Sequence, residues 1–352
     1  MTAENLDLAS FGWNAFFESQ RQLDDQADAV PVRVMSVHRA GLSVAAPGID
    51  LLIPTIKAPP GNEAAAATVG DWLLLDRETS APRLMQRKSL FSRRAAGAAR
   101  KLQLIAANVD TLFVVSSCNE DFNVARLERY LALAREADVT PVIVLTKADL
   151  TDEPEKFVRA AAALMPGLMV EIVDARDPKS VAGLAAWCGL GQTVALVGSS
   201  GVGKSTLVNT LTGIDQAATQ SVREEDGKGR HTTSARSLHR LPTKGWIVDT
   251  PGMRELKLTD ITTGIDEVFA DVVALTKECK FTDCRHEAEP GCAVLAATAA
   301  GTFDSARLTR WQKLVAEEAH NTANLAERHA HDRTFTKKIK VAVKSKRRSR
   351  GR

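Results

Sequence analysis

Three short motifs in this 352-residue chain have the residue types and spacing of phosphate and base recognition. Gly198-Ser199-Ser200-Gly201-Val202-Gly203-Lys204-Ser205-Thr206 fits the phosphate-loop pattern, follows an apolar run and opens a helical one, the two contexts that give the pattern meaning. Its glycines let the backbone curl so that several N–H groups converge on a β-phosphate. The partial positive charge at the N-terminus of the following helix adds to them. Lys204 is expected to reach the β- and γ-phosphates, and Ser205 to offer its hydroxyl to Mg²⁺. Asp249-Thr250-Pro251-Gly252 lies 44 residues beyond Ser205, again after an apolar run. There Asp249 can hold Mg²⁺ through water, and the Gly252 N–H can approach a γ-phosphate. Thr146-Lys147-Ala148-Asp149 ends a hydrophobic strand, where ligands of parallel sheets bind. The Asp149 carboxylate can accept the N1 and N2 protons of guanine, which adenine does not present, and Lys147 would pack its stem along the base. Threonine stands at position 146 where asparagine is commoner. Val173-Asp174-Ala175 falls where a Ser-Ala backbone contact to guanine is expected.

The order of these motifs is informative. In ordinary guanine-nucleotide switches the base-reading motif follows the phosphate motifs; here it precedes them, so the nucleotide domain reads as circularly permuted. Between the loop and Asp249 lies Arg223-Glu-Glu-Asp-Gly-Lys-Gly229-Arg230-His231-Thr232-Thr233, charged and without apolar periodicity. Thr232 or Thr233 could complete the Mg²⁺ shell when GTP is present and make this stretch a switch. Met253 holds the position of the water-orienting glutamine, and a thioether cannot do that work. Slow turnover of the chain alone is expected, with His231 a candidate to orient the water, or a bound partner to supply the missing group.

A second chemistry follows downstream. Cys279-x4-Cys284-x-His286-x5-Cys292 offers three thiolates and one imidazole, the ligand set of a closed tetrahedral zinc site. A filled shell leaves no position for water, so the metal is expected to be structural. Cys118 and Cys188 remain as buried thiols, in keeping with a reducing compartment.

The elements that must position these residues show the period of an α/β sheet. Apolar runs at Thr111–Val115, Val142–Leu145, Met169–Val173, Thr193–Val197 and Trp246–Val248 alternate with helical stretches at Val124–Ala137, Glu153–Leu164 and Thr206–Leu211. Such alternation implies a parallel sheet with helices on both faces. Before it, an amphipathic start (Leu8, Phe11, Trp13, Phe16, Phe17) leads into short β-like runs at Val30–Met35, Leu51–Ile53 and Trp72–Leu75, punctuated by Gly and Pro, that fit a small barrel. A basic stretch from Arg87 through Arg100-Lys101 reads as a linker, solvated or lying along RNA. Beyond Thr259 the chain is mainly helical, with Leu308, Trp311, Leu314, Val315 and Leu325 at core spacing. With 44% apolar and 25% charged residues the composition is globular. No apolar run approaches the roughly 20 residues of a membrane span, and the acidic start does not resemble a signal peptide, so a cytoplasmic address is expected. The net charge of +3 hides an asymmetry: Lys337 to Arg352 carries nine basic residues and no acid, leaving 37 basic against 43 acidic residues elsewhere. Such a tail is expected to be disordered, and to seek phosphates or simply to aid solubility.

Together the permuted TKAD, GSSGVGKST and DTPG motifs, Gly229-Arg230-His231-Thr232-Thr233, the C-x4-C-x-H-x5-C spacing, Ala107-Asn108-Val109-Asp110 and the Phe122 to Tyr130 stretch resemble the RsgA (YjeQ) family of small-ribosomal-subunit biogenesis GTPases. The resemblance implies an oligonucleotide-binding (OB) barrel over residues 1–103, a circularly permuted GTPase domain over 104–262 and a zinc-binding helical domain over 263–336; the basic tail over 337–352 and Asp174 depart from the family pattern. It implies GTP hydrolysis stimulated by the small ribosomal subunit during late maturation, with rRNA, GTP and GDP as partners, no membrane, and a monomeric chain. Two other readings compete: a non-catalytic RNA-binding module that uses nucleotide for support, and a phosphate-loop ATPase. Asp149 speaks against the second.

Overall fold

A computed structural model of the chain describes residues 7–21, 29–38, 40–56, 58–59, 62–76, 82–94, 102–213, 236–249 and 261–322. Strands β8 (Thr111–Ser117), β9 (Thr140–Thr146), β10 (Met169–Ile172), β11 (Thr193–Gly198) and β13 (Trp246–Asp249) form the parallel core, in the order β10-β9-β8-β11-β13. Their side chains alternate between two apolar layers. Leu112 and Val114 of β8 join one buried cluster with Ile143, Leu145, Ala195 and Val197, while Phe113 and Val115 join another with Val142, Val144, Val194 and Leu196. Burial on both faces is why these strands read as continuous apolar runs. Helix α2 (Val124–Glu136) covers the first face through Leu127 and Leu131; α5 (Lys204–Thr212) covers the second through Leu207. Helices α3 (Pro154–Ala162) and α4 (Pro178–Val181) complete the crossovers.

The sheet does not stop at the nucleotide core. Antiparallel β12 (Arg236–Arg240) pairs with β13 and then, at Ser237 and Arg236, with β1 (Val30–Val37). From there it continues into β2 (Leu42–Ala46), β3 (Ile49–Ile53), β4 (Trp72–Leu75) and β5 (Pro82–Leu84), all antiparallel around a separate core of Val32, Val34, Leu42, Val44 and Leu73. One buried cation ties the two parts together. The Arg33 guanidinium donates to the Phe11 carbonyl at 2.6 Å and to the Thr193 hydroxyl, at the start of β11, at 2.7 Å. Burial pushes this guanidinium down to about 10, against the opposing pull of Asp110 and Asp71, which leaves it charged at neutral pH. Phe11, Trp13 and Phe17, from the amphipathic start, are buried beneath it against Trp72 and Trp246, with Phe16 exposed.

The stretch read as a basic linker has structure at its beginning. Leu90–Arg94 is a strand, β6, paired with β7 (Leu102–Ala107), and Arg87 is clamped to the buried Asp71 carboxylate at 2.7 and 2.8 Å. Arg87 is thus committed to the protein's interior. Residues 95–101 lie outside the described residues.

After the nucleotide core come α6 (Thr262–Val268), α7 (Ala270–Thr276), α8 (Ala293–Ala299) and α9 (Ser305–Thr322). Leu308 and Leu314 are buried, Trp311 packs partly against the same core, and Val315 is exposed, so the helical stripe is narrower than its spacing suggests; Leu325 lies outside the described residues. Gly264 sits where a Cβ would come within 2.1 Å of the Ala132 carbonyl, and its N–H donates to Glu136 at 2.8 Å, so α6 presses directly on α2. Glu128, fully buried on α2, accepts from Arg310 at 2.8 Å and Arg307 at 3.3 Å, while Arg129 reaches Glu317 at 2.7 Å. No helix among the described residues is long and apolar enough to cross a membrane.

Candidate nucleotide site and metal centre

The phosphate loop turns at the end of β11. Gly198 has φ +146° and its α-carbon faces the Val115 carbonyl so closely that a Cβ would lie 2.2 Å away. Gly203, at φ +93°, caps the N-terminus of α5. Both positions need glycine, the first for close approach and the second for a left-handed turn. Lys204 folds across the loop and donates to the carbonyls of Gly198, at 2.8 Å, and Ser199. Gly198, Ser199, Ser200, Gly201, Gly203, Lys204, Ser205 and Thr206 line an open cleft of about 450 Å³ whose far wall is Tyr130 of α2. Val202 is buried beneath it.

Thr146, 1% exposed at the end of β9, carries the base motif to this loop. Its hydroxyl lies 2.7 Å from the Val202 carbonyl and 3.2 Å from that of Ser116, so it donates into the phosphate loop and fixes the two motifs against each other. A threonine therefore bridges the base motif and the loop. Lys147 adopts the left-handed conformation at φ +56°, uncommon for a residue with a side chain, and turns the chain so that Asp149 stands at the sheet edge. Thr146, Lys147 and Asp149, with Asp174, Ala175 and Arg176, line a second cleft of about 230 Å³ that shares Gly203 and Thr206 with the first. Hydrogen bonds from Arg176 hold the Asp174 carboxyl below its usual range.

The structure thus brings Thr146, Lys147 and Asp149 to one end of a continuous groove and Gly198 through Thr206 to the other. Asp249 ends β13, beside β11; its side chain, and His231, Thr232, Thr233 and Gly252, lie outside the described residues, as does the tail Lys337 to Arg352. Tyr130, Arg126, which donates to the Ser199 hydroxyl, and Arg176 stand at the groove outside the three nucleotide motifs, the first two within the Phe122 to Tyr130 stretch. Arg126 and Tyr130 lie one turn apart on α2, a spacing visible in the sequence, but which cleft that face meets depends on the sheet order.

The Cys/His cluster is compact. Ligand atoms of Cys279, Cys284, His286 and Cys292 all lie within 4.8 Å of one another. Cys279 Sγ is 3.8 Å from Cys292 Sγ, and His286 Nδ1 is 3.6 and 3.4 Å from those two sulfurs. Two thiolates about 2.3 Å from a common tetrahedral centre stand roughly 3.8 Å apart, so the donors fit one metal ion. His286 takes the left-handed conformation at φ +60° to turn its ring inward, and Cys292 caps α8 by accepting from the Leu295 N–H at 3.5 Å.

Comparison with known proteins agrees with this architecture. The RsgA GTPase family pattern matches residues 84–259. A protein of Mesorhizobium japonicum named small ribosomal subunit biogenesis GTPase RsgA is 52% identical over 92% of this chain and 93% of its own length. Another, RsgA 2 of Vibrio parahaemolyticus, is 48% identical over 97% of this chain and 94% of its own. Among solved structures, YjeQ of Thermotoga maritima superposes with a TM-score of 0.58 at 24% identity, over 81% of this chain and 97% of its own. YloQ, described as a circularly permuted GTPase, superposes at 0.56 and 23% identity, over 86% of this chain and 100% of its own. The base motif preceding the phosphate loop, the groove that joins them and these relatives together place the chain in the RsgA family of circularly permuted GTPases.

Proposed function

We propose that the chain binds the small ribosomal subunit and its rRNA and hydrolyses GTP to GDP and phosphate late in that particle's maturation, with the particle stimulating the reaction. One observation carries the reading: a phosphate cradle ending at Lys204 opens, through Gly203 and Thr206, into a pocket that presents the Asp149 carboxylate. The particle comes from the names of the relatives. An ionised carboxylate only accepts hydrogen bonds, so it selects the N1–H and N2–H edge of guanine over adenine. At the other end, loop N–H groups and the N-terminus of α5 hold the phosphates. Lys204 leaves the loop carbonyls for the β- and γ-phosphates, and the Gly252 N–H approaches the γ-phosphate. Ser205, Asp249 and one of Thr232 or Thr233 would hold magnesium, which when bound would neutralise charge on the phosphate oxygens. His231 orients the attacking water, since Met253 cannot. Partner stimulation fits this gap and reaches roughly 10⁵-fold in well-known switches.

Residues 1–103 act as the rRNA-facing barrel, 104–262 as the GTPase and 263–336 as the zinc-binding domain, with 337–352 a basic tail. Three soft thiolates and an imidazole at tetrahedral spacing favour zinc, in a closed structural role. The chain works as a cytoplasmic monomer. Hydrolysis of GTP and of ATP, each with and without purified small subunits, tests the proposal. A large particle-dependent rise with GTP alone, abolished by Lys204→Ala, is expected; an equal rise with ATP, or none, rejects it.

A further inference from the structure

Arg176 stands in the base pocket, and no motif assigns it a role. Its backbone N–H donates to Asp174 Oδ1 at 2.9 Å and its Nε to the same oxygen at 3.1 Å. Its Nη2 lies 3.2 Å from Asp174 Oδ2 and 3.3 Å from Asp149 Oδ2. The guanidinium is anchored on one carboxylate and touches, with its outermost nitrogen, the other. Both acids line the same cleft.

The pocket's charge pattern gives this contact a purpose. Guanine presents donors at N1 and N2 and acceptors at O6 and N7, with O6 on the carbon next to N1. A carboxylate that takes N1–H therefore brings O6 beside itself, and a second carboxylate there, Asp174, would repel that oxygen. A guanidinium between the two reverses the sign at that point. Arginine has no acceptor, and its pairing with O6 and N7 is the commonest specific contact made to guanine in the DNA major groove. Adenine places an amino donor where guanine has O6, so the same group disfavours it. The side chain is 68% exposed, so Nη2 is free to leave Asp149 while Nε stays on Asp174.

We propose that Arg176 is a second base-reading residue: on entry of guanine its Nη2 passes from Asp149 Oδ2 to O6, so that Asp149 reads the donor edge and Arg176 the acceptor edge. This rests on the guanine reading of the pocket. The test is calorimetric titration of the full chain and of Arg176→Ala with GDP, 6-thio-GDP and ADP. Sulfur at position 6 keeps N1–H and N2–H but accepts hydrogen bonds poorly, so it probes O6 alone. In the wild type, 6-thio-GDP should bind about tenfold more weakly than GDP. Arg176→Ala should weaken GDP by about tenfold, should shrink the oxygen-to-sulfur penalty to about twofold, and should show the loss in turnover as a raised KM. Arg176→Lys should recover part of both effects. Unchanged or tighter GDP binding by Arg176→Ala, or an undiminished sulfur penalty, would overturn the inference while leaving the guanine reading intact. A wild type that binds ADP as tightly as GDP would sink that reading and this inference with it.

Discussion

Thr146 shows how one hydroxyl can hold a composite site together. It is buried, its Oγ1 is 2.7 Å from the Val202 carbonyl, and removing it leaves a phosphate-loop acceptor without a partner in the interior. Such an orphaned acceptor costs about 1–3 kcal/mol. Thr146→Ala should lower stability by that order, and because both motifs lose their mutual support it should weaken GDP and GTP alike by about tenfold. Thermal melting with and without GDP checks this; full nucleotide affinity in the variant would show that the bridge is incidental. At this scale the sequence was legible where a residue's chemistry is set by its own motif. Lys204, Asp149 and the four Cys/His ligands announce themselves by spacing. Arg126 and Arg176 do not, because a surface-type cation acquires meaning only from what the fold places within about 3 Å of it, and that depends on the order of β8, β9 and β11.

Among the elements, α2 has the widest reach. Its first turns face the phosphate loop through Arg126 and Tyr130, while its other side buries Glu128 between Arg307 and Arg310 of α9 and receives α6 at Gly264. Removing one partner of a buried ionic cluster strands the others, at about 3–5 kcal/mol. Glu128→Ala should therefore loosen the C-terminal helices from the sheet, and hydrogen exchange should rise in α6 and α9 before it rises in β8 and β11. Uniform protection in the variant would contradict this coupling. The Cys/His knuckle is a second element with a separable test. Burial pushes the Cys188 thiol up to about 12 and raises that of Cys118, so neither offers thiolate at neutral pH. Chelation should expose three alkylatable cysteines, Cys279, Cys284 and Cys292, with the other two unreactive; equal alkylation of those three before and after chelation would mean that the cluster holds no metal. Strand prediction succeeded for the parallel core, whose double burial leaves unbroken apolar runs. It failed for β6, β7 and β12, where Arg93, Arg94, Gln103, Arg236, His239 and Arg240 interrupt the pattern and cross-strand hydrogen bonds, more than burial, make the strand.

For the molecule as a whole, the sheet that runs from β10 through β12 into β1 joins the N-terminal strands and the nucleotide core in one hydrogen-bonded structure, with Arg33 holding both Phe11 and, 160 residues further along the chain than itself, Thr193. Long-range joins of this kind leave no local trace in the sequence. Their consequence is mechanical. The chain leaves β13 at Asp249, and by Thr262 it has entered α6, packed on α2; if the Asp249 motif meets the γ-phosphate as proposed, a change there lies close in sequence to the C-terminal helices. A ligand shifts only an equilibrium that it binds unequally. The chain with a non-hydrolysable GTP analogue should therefore bind small subunits at least about tenfold more tightly than with GDP, measured by co-sedimentation; equal affinity would remove the switch from the account. All of this depends on one pocket choosing guanine. Titration calorimetry of the purified chain with GDP and with ADP measures that choice directly. A preference for GDP of about a hundredfold or more is expected, and equal affinities would contradict the account at its root.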